Sequence, residues 1–216
     1  MAIFLARAGG STISGKSALS PCPSDQPDLE IGRMFRRLFA RNRRNEAIAY
    51  SLYGAIVAQA RQPALYTEFA VPDTLDGRFD MIVLHGFLMF HRLKDESPED
   101  RQLGQDVFDI FLKDMDGTLR EMGVGDLSVP KKLKKMAEAF FGRIRAYDEA
   151  LASGDRTKLV DAIERNIFPD GAPTGVGGQI ASYVQASVTT LAAESLSTIF
   201  SGRLDYASLP TPSAAA

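Results

Sequence analysis

From Gly77 to Leu93 the chain is apolar on almost every side of a helix. Phe79, Ile82, Val83, Gly86, Phe87 and Phe90 form one broad stripe at helical periodicity, and Leu84 and Leu88 occupy the opposite side. Such a helix cannot rest on a surface, because both faces lose free energy in water; other helices must enclose it. The most apolar part, Met81 to Phe90, is shorter than the roughly 18 residues of a spanning helix, and His85 interrupts it. The segment calls for an all-α bundle with this helix at its centre.

The flanking segments can supply the enclosure. A helix over about Ile31–Arg41 gathers Ile31, Met34, Phe35, Leu38 and Phe39 on one face. A second, about Asn45–Arg61, carries Ile48, Leu52, Ala55, Ile56 and Gln59 and stops before Pro63; Pro72 marks the next loop. Asp76 is read as the cap of the central helix and Gly77 as the residue that permits a tight approach to it. Ser97-Pro98-Glu99-Asp100 is a helix start: a hydroxyl cap, proline in the first turn, then acids against the positive helix end. That helix aligns Phe108, Phe111, Leu112, Met115, Leu119 and Met122 and ends at Gly123. The next starts at Pro130 with Leu133, Met136, Ala137, Phe140, Ile144, Tyr147 and Leu151 on one face, and Gly154 ends it. Asp155 caps a shorter helix to about Ile167.

The expected architecture is a single bundle of about six to eight helices with a disordered N-terminal arm and C-terminal tail. Residues 1–28 form the arm, with an organelle-targeting leader or an upstream extension as other readings; 29–168 form the helical domain. A flexible connector occupies 169–178, a last helix rich in Ala, Ser and Thr occupies about 179–202, and the tail runs over 203–216. Cys22 is the sole cysteine, which excludes an internal disulfide and a cysteine-built zinc site and fits a reducing compartment. A formal net charge of −2 provides no global field for nucleic acid, and no DNA partner is expected.

Three motifs suggest chemistry and do not sustain it. Gly10 to Ser17 matches GxxxxGK[ST], but Pro21 and Pro23 break the helix that should follow, and no parallel-sheet pattern surrounds it. Asp76 and Asp80, with Asp73, could bind Mg²⁺ opposite Asp106, Asp109, Asp114 and Asp116, as the paired acidic motifs of all-α prenyl-diphosphate enzymes do. Capping and surface ion pairs are the plainer use of those residues. His85 and His91 point different ways on one helix; Met81, His85 and Met89 share a flank that imitates haem ligation, whereas a core histidine among packing residues is simpler. No catalytic group, metal site or cofactor is expected.

Charge patterning points to binding instead. Arg33, Arg36, Arg37, Arg41, Arg43 and Arg44 are six arginines in twelve residues, with no acid between Arg33 and Asn45. Opposite an apolar face, they suit the membrane interface or an anionic partner and would also neutralise RNA phosphates; a helix packed onto the core with a solvated arginine face is the alternative. Lys131, Lys132, Lys134 and Lys135 form a second basic patch in the first turns of a helix, where cations oppose the dipole; local stability does not explain them, and a solvated face is the simpler account. The acidic stretch from Asp95 to Asp126 lies between the patches, and this segregation favours oriented docking.

LYGAIVAQARQPALY (Leu52–Tyr66), VPDTLDGRFDMIVLH (Val71–His85), LREMGVGDLSVPKKLKKM (Leu119–Met136), AYDEAL (Ala146–Leu151) and IERNIF (Ile163–Phe168) together resemble the ubiquinol–cytochrome c chaperone family, in its compact bacterial form. The resemblance covers about Phe35–Phe168. It implies a non-enzymatic assembly factor that engages newly made cytochrome b for the respiratory bc1 complex. A small partner chaperone and the ribosome are further implied partners, and the implied location is cytoplasmic, peripheral on the inner membrane (matrix side in a mitochondrion). On this reading the six arginines attach the chain to a surface, and Tyr66, Asp73, Arg78, Asp80, Lys131 and Lys132 form a client or partner surface. An Mg²⁺/diphosphate enzyme of prenyl-synthase type and a generic helical interaction module are the alternatives.

Overall fold

The structure, a computed structural model, describes residues 45–210. The expected helix over Ile31–Arg41, and with it the whole arginine segment, lies outside the described residues. Within them the chain is helical, with no strand among the described residues. Helix α1 covers residues 45–60. It is followed by α2 (Pro63–Thr67), α3 (Leu75–Leu93), α4 (Pro98–Glu121), α5 (Val129–Ala152), α6 (Arg156–Ile167), α7 (Val176–Ala193) and α8 (Leu196–Ile199).

Helix α3 is the centre, as its two-sided apolar pattern requires. Every residue from Asp80 to Met89 is buried, and α4, α5, α6 and α7 all pack against the helix. Phe79, Phe108, Phe111 and Phe140 from three helices meet ring to ring at 4.9–6.0 Å, filling the space between α3, α4 and α5. From α1, the Tyr53 hydroxyl reaches Asp114 on α4 at 2.7 Å and the Gln59 amide reaches the Tyr183 hydroxyl on α7 at 2.9 Å.

The start of α3 differs from expectation by two residues. Thr74 is the cap: its backbone is extended and its hydroxyl accepts from the Gly77 amide at 3.1 Å. Asp76 already lies inside the first turn, where its charge faces the positive helix end but its backbone can no longer act as a cap. Gly77 is required as anticipated, because a Cβ there would stand 2.0 Å from the Pro72 carbonyl oxygen. Ser97 caps α4 through the Asp100 amide at 3.1 Å, and Gly123 ends that region with φ +79°, a left-handed conformation that side chains resist. Helix α5 begins at Val129, so Pro130 sits within its first turn. Asp155 caps α6 through the Thr157 amide at 2.9 Å.

The last helix, expected in one piece, is two. Arg92 of α3 donates from Nε to the Leu191 carbonyl at 2.9 Å and from a terminal nitrogen to the Glu194 carbonyl at 3.2 Å. The guanidinium takes over carbonyls at the end of α7; Glu194 turns extended and Ser195 caps α8. Residues 204–207, expected in the tail, are held against the bundle. Leu204 is buried, the Tyr206 hydroxyl donates to the His85 carbonyl at 3.1 Å, and the Ala207 amide donates to Ser187 at 3.3 Å. Three contacts over four residues pin this segment, a pattern too short to register as periodicity. Residues 211–216 lie outside the described residues.

Candidate functional site

Where α3 and α5 begin and α4 ends, the three helices leave a cleft of about 490 Å³. Its floor is apolar: Phe79 and Ile82 from α3, Met115 and Leu119 from α4, Met136 from α5. Five cations stand around it, Arg61, Arg78, Lys132, Lys135 and Arg143, against two carboxylates, Asp76 and Asp114. Arg61, Lys132 and Lys135 have no ion-pair partner among the described residues. The amino ends of α3 and α5 add partial positive charge at the same end. With Arg78 paired to Asp73 and Arg143 to Asp80, the rim keeps a small positive excess, and an apolar floor beneath it fits an amphipathic partner whose polar side is anionic.

The wall of the cleft contains a buried ion pair. Asp80, 4% exposed, approaches Nε of Arg143 at 2.7 Å, and the guanidinium carbon lies 5.4 Å from the centre of the Phe79 ring. The approach lacks hydrogen-bond alignment, since neither Asp80 Oδ1 nor Arg143 Nε has a bonded partner among the described residues. The pair is therefore held by charge. Burial pushes Asp80 up from its ordinary 3.8 to about 6, with the Arg143 charge pulling the other way. The wholly buried Tyr147 brings its hydroxyl into the same neighbourhood, beside the Asn166 amide but without an aligned hydrogen bond.

His85, five residues along α3, is different. Its Nδ1 lies 2.7 Å from the Met81 carbonyl, which can only accept, so Nδ1 carries the proton. Nε2 then accepts from the Tyr183 hydroxyl at 2.9 Å, which in turn accepts from the Gln59 amide. Burial lowers the imidazole from 6.5 to about 4, which keeps it neutral. Both ring nitrogens are occupied, so this histidine is a core residue, as the simpler reading of the sequence expects.

The structure brings together some of the residues singled out by their sequence pattern and separates others. Arg78 and Lys132 line the cleft, and Asp80 stands behind it through Arg143. Asp73 pairs with Arg78 at 2.7 Å in the open, and that hydrogen bond holds its carboxyl below the usual range. Tyr66 turns its hydroxyl back to the Ala60 carbonyl at 2.7 Å, holding α2 to α1 and lying outside the cleft. Lys131 is exposed and also outside the lining. The acidic sets do not converge as a two-metal site would need. Asp106 and Asp109 line a separate depression with Glu46, Asp116 is bound to Arg120, and no cluster of three metal-ligating side chains forms among the described residues.

Sequence reasoning missed Arg61 and Arg143, and has Lys135 only as a member of the second basic patch. Arg143 had a signal: it interrupts the apolar stripe Met136, Phe140, Tyr147 on α5, just as Asp80 interrupts the stripe of α3. Two lone opposite charges in facing apolar stripes are a pair waiting to be matched.

Comparison with known proteins matches the chain's family and its fold. The family described as "Ubiquinol-cytochrome C chaperone" matches residues 67–206. Ubiquinol-cytochrome-c reductase complex assembly factor 1 of Xenopus laevis is 25% identical over 120 residues, 56% of this chain and 60% of that protein. The Mus musculus protein of the same description is 25% identical over 120 residues, covering 40% of its length. The chain thus spans under two thirds of these curated relatives. The crystal structure of the Cbp3 homolog from Brucella abortus superposes with a TM-score of 0.73 at 41% identity, over 83% of this chain and 97% of that one.

Proposed function

This chain belongs to the ubiquinol–cytochrome c chaperone family, and we propose that it is a non-enzymatic assembly factor for the ubiquinol–cytochrome c reductase (bc1) complex. Its client is newly made cytochrome b, held at the cleft between α3, α4 and α5. The observation that carries the reading is that cleft, an apolar floor ringed by five cations, in a chain with this family match. A nascent membrane protein exposes apolar segments that need cover until they insert, and the floor of Phe79, Ile82, Met115, Leu119 and Met136 offers it. Arg78 and Lys132 set orientation by charge. Asp80 and Arg143 keep the wall of the cleft in place.

The arginines from Arg33 to Arg44 serve attachment to an anionic membrane or ribosome surface, and a small partner chaperone completes the assembly. The protein works at the membrane face, on the cytoplasmic or matrix side. Among the described residues no helix is long and apolar enough to cross a membrane.

The test is capture of partners from mildly solubilised native membranes on the tagged full chain, with identification by mass spectrometry. Cytochrome b or its early assembly partners should be enriched, and Arg78→Glu/Lys132→Glu should lower that enrichment about tenfold. Capture lacking every bc1 subunit would sink the assembly reading. Capture indifferent to the double variant would remove the cleft from it.

A further inference from the structure

The loop that joins α4 to α5 exposes two large apolar side chains. Leu127 is 98% exposed and Met122 is 59% exposed, the two most exposed large apolar residues among those described. Leu75, 48% exposed, belongs to the same end of the bundle, where it lines the mouth of the cleft with Lys132 and Lys135. The loop's conformation keeps them out: Gly123 is left-handed, and the Ser128 amide closes a turn onto the Gly125 carbonyl at 2.7 Å. Nearby Val129 is fully buried, so the chain inserts one apolar residue and leaves Leu127 outside. Singly exposed apolar residues are ordinary. Two on one short loop, beside a basic cluster, are a pattern.

From Met122 to Met136 the chain holds four lysines and one acid. That acid, Asp126, is bound by Arg120 at 2.5 Å. Lys131, Lys132 and Lys135 have no ion-pair partner among the described residues, and Lys134 reaches Glu138 only at 3.9 Å. The lysines sit at the amino end of α5, where the helix dipole already disfavours them, so the helix gains nothing from their presence. An external anionic surface would compensate them.

We infer that this loop, Met122 and Leu127 with Lys131, Lys134 and Lys135 behind it, is an insertion element that seats the bundle on an anionic lipid bilayer. The aliphatic pair enters the headgroup–acyl boundary and the lysines lie against the lipid phosphates. A nucleic acid would use the lysines but has no place for two unstacked aliphatic chains, since it is gripped by phosphate contacts and aromatic stacking. The inference deepens the membrane-face part of the proposed function and rests on it. Docked this way, the mouth of the cleft opens toward the bilayer from which a client segment would come and to which it would go.

The chain contains no tryptophan, so a single one introduced in this loop reports its own surroundings. Leu127→Trp in the full chain should shift its emission to the blue on mixing with vesicles of phosphatidylcholine and phosphatidylglycerol, and brominated acyl chains should quench it. Vesicles of phosphatidylcholine alone should give a much smaller response. Met122→Ser/Leu127→Ser should lower partitioning onto the anionic vesicles about tenfold. Lys131→Gln/Lys134→Gln should lower it more than tenfold, at about fivefold per lysine. Unshifted emission with anionic vesicles, or undiminished partitioning of the serine variant, overturns the inference. So does loss of RNA binding in the lysine variant with vesicle binding intact. Because the serine variant leaves the cleft untouched, it should still capture cytochrome b from detergent. That separates failure of the loop from failure of the assembly reading.

Discussion

Helix α3 buries two ionisable side chains five residues apart, and their surroundings are opposite in kind. Around His85 each polar atom of the imidazole has a partner, from the Met81 carbonyl through Tyr183 to Gln59. Around Asp80 there is one close charge at 2.7 Å, no aligned hydrogen bond, and the unpartnered Tyr147 hydroxyl nearby. A satisfied buried network fixes one arrangement of a core, whereas a poorly satisfied one costs stability and persists for another reason. Here the second lies in the wall of the cleft, where Arg143 contributes to the cationic rim. The contrast teaches that the His85 network is structure, and that the Asp80–Arg143 pair is retained at the edge of a binding surface.

The largest expected effect comes from breaking the weaker network. Arg143→Ala leaves the Asp80 carboxylate buried without its charge partner and should cost about 3–5 kcal/mol near neutral pH. Replacing both, as Asp80→Asn/Arg143→Met, should return stability to within about 1 kcal/mol of the parent, because no buried charge remains. Urea unfolding of the three chains measures both values. A double variant as unstable as the single one would mean that the pair specifies the packing of α3 on α5, and the contrast between the two networks would fail.

The next effect is a pair of opposed pH dependences. Asp80 is raised from 3.8 to about 6, so between these values the folded chain keeps a proton that the unfolded chain has lost. Its contribution is complete below pH 3.8 and is lost as pH rises through 6. His85 is lowered from 6.5 to about 4, so the unfolded chain holds a proton that the folded chain has released. Its contribution is complete above pH 6.5 and is lost as pH falls through 4. Each amounts to about 3 kcal/mol, of opposite sign, and over pH 4 to 6 they nearly cancel. Asp80→Asn should therefore gain on the parent as pH rises across that window. His85→Phe should lose ground over it, with a further pH-independent cost of about 1–3 kcal/mol because the Tyr183 hydroxyl proton loses its acceptor. Unfolding midpoints at three pH values would show this as two profiles diverging from the parent in opposite directions; parallel profiles would refute it.

The sequence made one of these two networks easier to anticipate than the other. A histidine among Met81, Leu84, Leu88 and Met89 is readable as a core residue from periodicity alone, and so is the central place of α3. Bundle architecture, the Ser97 and Asp155 caps and the stop at Gly123 are readable for the same reason, since each depends on neighbours in the chain. What depends on distant residues is not. The Arg92 guanidinium that divides the last helix comes from α3, and the contacts that hold residues 203–210 come from α3 and α7. The cleft is half visible: local charge singles out Lys132 and Lys135 and the family resemblance points to Arg78, while Arg61 and Arg143 join them only through packing. Asp76 suits a cap by its carboxylate chemistry, yet backbone conformation gives that role to Thr74.

The smallest effect concerns the outer edge of the His85 network. The Tyr206 hydroxyl donates to the His85 carbonyl, but that oxygen already has a helical partner in the Met89 amide. Tyr206→Phe removes only the second bond and keeps the ring edge-on to the imidazole at 5.2 Å. The cost should be about 0.5–1 kcal/mol, read as a shift in urea midpoint. It should also be independent of pH, because the carbonyl does not titrate and neither imidazole nitrogen is touched. A larger loss that grew toward pH 7 would mean that residues 203–210 position His85 itself. The network would then extend beyond the bundle core, and the clean division between a structural buried site and a functional one would no longer hold.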